Sequence, residues 1–251
     1  MYLLIDCGNS SLKFTISNGS YIEEVHSMDY SNLKVFKSNF KSKINHIRLR
    51  NLVTYVYIVS VNREIEPLIE SILKSLLKGI KVKFLKKRVF KNFKSSYKKI
   101  NTLGLDRFFN CLGGNYLYPK SNLIIIDMGT ATTIDILEKN LSHKGGLILP
   151  GALIAHYSLI MNTSMINKKN ILLDKKLIGA STSECLSSGF LNGQSEMIKG
   201  IVREIKKTSQ LKFKVLITGG ISNIFIEQFK DYKYHSSLVL NGIINFIKKT
   251  N

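Results

Sequence analysis

Asp6 and Asp127 each close an apolar run and stand two residues before a glycine. Ile5-Asp6-Cys7-Gly8-Asn9-Ser10-Ser11-Leu12 aligns with Ile126-Asp127-Met128-Gly129-Thr130-Ala131-Thr132-Thr133, with Asp and Gly in register and hydroxyl residues following in both. A carboxylate at the end of a buried strand is costly unless it is paired or binds a cation. A glycine turn lets main-chain N–H groups approach phosphate oxygens closely. For either Asp alone the ordinary explanation is a structural turn cap. As a matched pair offset by 121 residues, about half the chain, they predict two related phosphate-binding hairpins.

Gly104-Leu105-Asp106-Arg107 is a compact acid and guanidinium pair at the start of an expected helix. Asp106 suits the acceptance of a hydroxyl proton, and the planar fork of Arg107 suits a carboxylate or phosphate. The plainer alternative is an Asp N-cap with a surface Arg. Lys13, seven residues after Asp6, is placed to neutralise phosphate charge, although a chain with 31 Lys supplies many solvated ones. Gly145-Gly146-Leu147-Ile148-Leu149-Pro150-Gly151 reads as a hinge or binding loop, and Thr218-Gly219-Gly220 as a backbone surface for a nucleotide base. No GxxxxGK[ST] and no GxGxxG occurs, which points away from P-loop and Rossmann folds. The five His show no metal spacing and accompany no nucleophile, so hydrolase and zinc readings rank low.

The elements that must position these residues follow from hydrophobic periodicity. Residues 2–7 and 12–17 read as a hairpin, 52–61 as a third strand, 65–77 as a helix and 79–85 as a further strand. Residues 121–137 repeat the opening hairpin, followed by a helix at 185–206, a strand at 213–217 and a terminal helix near 237–249. The repeat predicts two α/β lobes, 1–115 and 116–251, with a cleft between them.

A length of 251 residues with 44% hydrophobic content supports a substantial core. Cys7, Cys111 and Cys185 form no CxxC pair or zinc cluster, and the opening Met1-Tyr2-Leu3-Leu4-Ile5-Asp6 shows neither a leader nor an 18-residue apolar run. The expectation is a cytoplasmic protein without a membrane partner. The net charge of +20 suggests an anionic partner. Lys outnumbers Arg by 31 to 6, a bias that an AT-rich coding sequence imposes without selection for binding. Residues 81–100 interleave Lys and Arg with Phe84, Phe90, Phe93 and Tyr97, the pattern of a single-strand binder, so nucleic acid is the rival partner rather than the primary one.

DCGNSSLK, GLDR, DMGTATTID, GGLILPG, GASTSECLSSG and the late TGG occur in the order found in type III pantothenate kinases, and the resemblance spans nearly the whole chain. It implies the duplicated actin-like, ribonuclease H-like α/β fold of the sugar kinase, Hsp70 and actin superfamily, a homodimer, and ATP-dependent phosphorylation of pantothenate at the start of coenzyme A synthesis. By the same resemblance Asp6, Cys7, Gly8, Asn9, Ser10, Ser11, Leu12, Lys13 and Thr130 bind ATP, and Asp127 helps bind a monovalent cation, K⁺ or NH₄⁺, alongside Mg²⁺. It makes Asp106 the catalytic base and assigns Tyr97, Gly104, Leu105, Asp106, Arg107 and Thr182 to pantothenate. Relatives described as Bvg accessory factors are linked to transcription, which keeps the nucleic-acid alternative open, as does a kinase of another small acceptor on the same scaffold.

Overall fold

The computed structural model describes residues 1–50, 53–87, 93–164 and 176–250. The chain divides into two units, Met1–Lys120 with Lys139–Lys144 and Ser237–Asn251, and Ser121–Glu138 with Gly145–Ser236.

The first unit is built on the sheet β1 (Tyr2–Cys7), β2 (Ser11–Ser17), β3 (His26–Asp29), β4 (Tyr55–Ser60) and β5 (Lys81–Phe84), in the order β3-β2-β1-β4-β5. β1 runs antiparallel to β2 and parallel to β4. A central strand covered on both faces must be apolar almost throughout, and Leu3, Leu4, Ile5 and Cys7 of β1 are all fully buried. Helices α1 (Leu33–Arg50) and α2 (Glu66–Leu76) cover one face through Phe36, Phe40 and Ile44 and through Ile69, Ile72 and Leu73. The sequence reading passes over β3 and α1, so the strand expected third is the fourth.

Helices α3 (Leu105–Leu117) and α7 (Leu238–Thr250) pack together in the same unit. A Cβ on Gly113 would collide with the Leu238 carbonyl, and one on Gly242 with that of Phe109. Two facing glycines thus bring the backbones of α3 and α7 together, and Asn245 Nδ2 donates to the Leu112 carbonyl across the contact at 2.8 Å.

The second unit repeats the plan. β7 (Leu123–Met128), β8 (Ala131–Leu137), β9 (Ser142–Pro150), β10 (Lys214–Thr218) and β11 (Lys233–Tyr234) stand in the order β11-β10-β7-β8-β9. β7 is antiparallel to β8 and parallel to β10. Read from β9, this is the order of the first sheet strand for strand, and the duplication inferred from two short strings extends to the topology. Helices α4 (Ala152–Met161), α5 (Thr182–Ser188) and α6 (Gln194–Ser209) lie between β9 and β10, with a π-helical turn at Gly189–Gly193 joining the last two. A short strand β6 (Lys94–Ser95) pairs with Ser142 and His143 at the start of β9, within the first unit.

Two sequence expectations change here. Gly145–Pro150 is not a loop: it lies inside β9, with Gly145 accommodated at a φ of 99°. The two hairpins also differ in length. Asp6 pairs with Lys13 but Asp127 with Thr133, so the second turn is one residue shorter and the constant offset of 121 holds only up to the glycine. No helix among the described residues is long and apolar enough to cross a membrane.

Candidate active site

In the first unit, Asp6 and Lys13 are direct cross-strand partners, and their side chains leave the same face of the sheet. The turn between them is closed by Gly8 N donating to Ser11 O at 3.0 Å. Its tip carbonyls are engaged: Tyr30 N donates to Ser10 O at 3.1 Å and Asn62 Nδ2 to Asn9 O at 3.2 Å. Asn9 and Ser10 are exposed at the tip, while the side chains of Cys7 and Leu12 are buried in the core. Cys7 Sγ lies 3.3 Å from Tyr30 Oη, and burial pushes its thiol pKa up. Towards an anion, Cys7 and Leu12 therefore offer only main chain.

Asp106 and Arg107 occupy the first turn of α3. Gly104 holds the N-cap position, and Asp106 Oδ1 accepts from Arg107 N at 2.8 Å. A Cβ on Gly104 would collide with that carboxylate oxygen, so a side chain there would displace the Asp106 carboxylate. Arg107 is not a surface residue, being 4% exposed. Its Nη1 donates to Tyr97 Oη at 2.7 Å, and its guanidinium lies 5.6 Å from the centre of the Tyr97 ring. Ten residues apart in sequence, buried Arg107 and half-buried Tyr97 form one hydrogen-bonded pair.

The pair rests on Ser95 and His143, to which sequence reasoning gave no role, and on Phe93, read there as a stacking aromatic. His143 is fully buried, with Nδ1 at 2.8 Å from Ser95 Oγ and its ring 5.6 Å from that of Tyr97. Phe93 packs edge-on to Phe108 at 4.7 Å and stacks on His143. Phe84 packs against the core beneath the sheet. Phe84, Phe93 and Tyr97 are thus each half-buried against other residues of the protein; Phe90 and Arg88 lie outside the described residues.

In the second unit Asp127 is half-buried at the end of β7, in register with Thr133 of β8 and Thr218 of β10. A carboxylate flanked by hydroxyl residues is a set of hard oxygen donors, so these residues fit the cations implied by the resemblance. Gly129 N donates to Ala131 O at 3.0 Å and closes the turn, leaving Thr130 exposed beside it. Gly151, the N-cap of α4, lies against this turn so closely that a Cβ would collide with Thr130 O. Gly219, with φ 106°, lies equally close to the backbone of Met128. The end of β7, the N-terminus of α4 and the Thr218-Gly219-Gly220 turn thus converge, and a helix N-terminus beside a glycine turn is suited to an anion.

Thr182 stands apart from these groups. It begins α5 after the Ser181 N-cap, whose Oγ accepts from Glu184 N at 3.3 Å. It lines a cavity of about 360 Å³ with His156, Cys185, Phe190 and Gln194.

The repeated order of five strands in a five-stranded and a six-stranded sheet, each with an acidic strand end and a glycine turn, defines a phosphoryl-transfer protein of the actin and sugar-kinase type. A protein from Listeria monocytogenes described as an N-acetylmannosamine kinase shares this fold, with a TM-score of 0.51 at 14% identity over 100% of this chain and 99% of its own. A family model described as type III pantothenate kinase matches residues 2–204, and the chain belongs to that family. A type III pantothenate kinase of Acholeplasma laidlawii is 32% identical over 99% of both chains, and one of Flavobacterium psychrophilum 27% over 98% and 97%. The crystal structure of a Campylobacter jejuni protein described as a Baf family transcriptional activator superposes with a TM-score of 0.58 at 26% identity, covering 98% and 97%.

Proposed function

We propose that this protein transfers the γ-phosphoryl group of ATP to the primary hydroxyl of pantothenate, the first step of coenzyme A synthesis. The observation that carries the choice of acceptor is the contact of buried Arg107 with half-buried Tyr97 beside Asp106. A desolvated guanidinium whose fork is oriented by a phenol oxygen suits the carboxylate of a small hydroxy acid better than it suits a neutral sugar. Asp106 accepts the hydroxyl proton as attack on phosphorus proceeds, and Arg107, Tyr97 and the Gly104-Leu105 backbone hold the acceptor. The turn from Asp6 to Lys13, carried by 1–115, and Thr130, carried by 116–251, bind ATP. Asp127 holds a monovalent cation, K⁺ or NH₄⁺, which with Mg²⁺ screens phosphate charge. Thr182 contributes to pantothenate binding.

The protein acts as a cytoplasmic homodimer on this reading. Ile154, Tyr157, Leu159 and Met161 all project exposed from α4, the kind of apolar surface a second copy covers. Sedimentation should therefore show a dimer, and substituting Tyr157 and Met161 with Asp should shift it towards monomer. The enzymatic test is direct measurement of 4′-phosphopantothenate, with sugars and acetate as comparison acceptors.

One observation favours the nucleic-acid alternative. The first unit carries 25 Lys and Arg against 8 Asp and Glu, whereas the second carries 12 against 9. A uniform coding bias would load both units alike, so the charge of the first unit calls for its own measurement.

A further inference from the structure

Among the basic residues between 81 and 100, Lys87 behaves unlike its neighbour Lys86. Lys86 is exposed, whereas Lys87 is half-buried and its ammonium reaches back into the protein. It donates to Asn101 O at 3.0 Å, to Ile100 O at 3.4 Å and to Leu103 O. These carbonyls belong to the 3₁₀ turn Ile100–Thr102 and the residue after it, immediately before Gly104. Ile100 O also accepts from Leu103 N at 3.2 Å and closes the turn, and one ammonium with three donors can serve all three carbonyls.

The geometry points to Lys87 as a positioning residue for the phosphoryl-transfer reaction, fixing through these carbonyls the segment on which Gly104, Asp106 and Arg107 stand. The inference rests on Asp106 being the base. Lys87 is itself anchored: Leu85, two residues earlier, is buried, and its N–H donates to Ile58 O of β4 at 2.8 Å. At the other end Leu103 is 1% exposed, and Gly104 follows it into contact with the Asp106 carboxylate. A rigid line thus runs from the central sheet through Lys87 and Leu103 to the base. Burial pushes the Lys87 ammonium pKa down and the Asp106 carboxylate pushes it back up, which puts the two charges within electrostatic reach. An ammonium committed to three carbonyls is also poorly placed to serve a polyanion, the role its sequence neighbourhood suggests.

The test compares Lys87→Met, Lys87→Arg and the control Lys86→Met by amide hydrogen exchange and steady-state kinetics. Lys87→Met should exchange about tenfold faster across residues 100–108, with β1 and the end of α3 unchanged, as the loss of charge-assisted hydrogen bonds implies. Its kcat should fall by up to about 10²-fold, the effect of misplacing a reacting group by roughly an ångström, with KM for ATP unchanged. Lys87→Arg should recover most of both, and Lys86→Met should match the wild type. Unchanged exchange in this segment, or a kcat for Lys87→Met equal to that of Lys86→Met, overturns the inference. A wild type inactive on pantothenate would sink the acceptor reading separately, and exchange alone would then decide whether Lys87 anchors the segment. Lys87→Gln replaces Lys87→Met if the latter does not fold.

Discussion

Asp106 lies in the first turn of α3 with one carboxylate oxygen on the Arg107 amide. Asp106→Asn keeps the shape and removes the proton acceptor, so turnover should fall by about 10²- to 10⁴-fold while ATP still binds in equilibrium titration. Tyr97→Phe removes the oxygen that accepts from Arg107 Nη1. Its effect belongs mainly in the acceptor KM, which should rise about tenfold, as expected when a buried charged donor loses its partner; an unchanged KM would remove the pair from acceptor binding. The carboxylates and the GLDR string were legible as local words, because strand ends, glycine turns and helix starts are written over a few residues. The support for Tyr97 was not, because Ser95 and His143 are 48 residues apart and meet only through the β6–β9 pairing.

The glycines of GGLILPG and TGG take on a structural purpose at the level of strands and helices. Gly151 and Gly219 let the α4 N-terminus and the turn after β10 close on the end of β7. Alanine at either position collides with backbone and should destabilise the protein by roughly 2 kcal/mol or more while weakening ATP binding, measurable by urea unfolding and nucleotide titration. Gly151→Ala with wild-type stability and affinity would show that the contact is slack. The hairpins, β5, β10 and α7 could be read from periodicity and turn residues. α1 could have been read, since Phe36, Phe40, Ile44 and Ile47 recur at helical spacing and Asn32 Oδ1 accepts from Lys34 N and Val35 N as an N-cap, but interspersed Lys masks the apolar stripe. β9 was hidden for the opposite reason: its Gly and Pro resemble a loop, and only pairing with neighbouring strands makes it regular.

Charge and protonation act on the whole molecule. If the net charge of 17 on the first unit only attracts counterions, single-stranded nucleic acid should bind weakly at physiological salt and lose affinity steeply as salt rises. Tight, salt-resistant binding would instead promote the alternative function. Acid should also weaken the fold. Burial lowers the pKa of His156 and His235, so as pH falls through about 6.5 the unfolded chain takes up protons before the folded one and stability declines. The urea midpoint should drop between pH 7.5 and 5.5, and a rising midpoint would contradict those shifts. Most direct of all is the conversion of pantothenate itself, with ATP, Mg²⁺ and K⁺ or NH₄⁺, by wild type and Asp106→Asn side by side. The expected result is 4′-phosphopantothenate from the wild type, little or none from the variant, and none from sugars or acetate; a folded wild type that leaves pantothenate untouched, or an Asp106→Asn variant that turns over normally, would contradict the assignment.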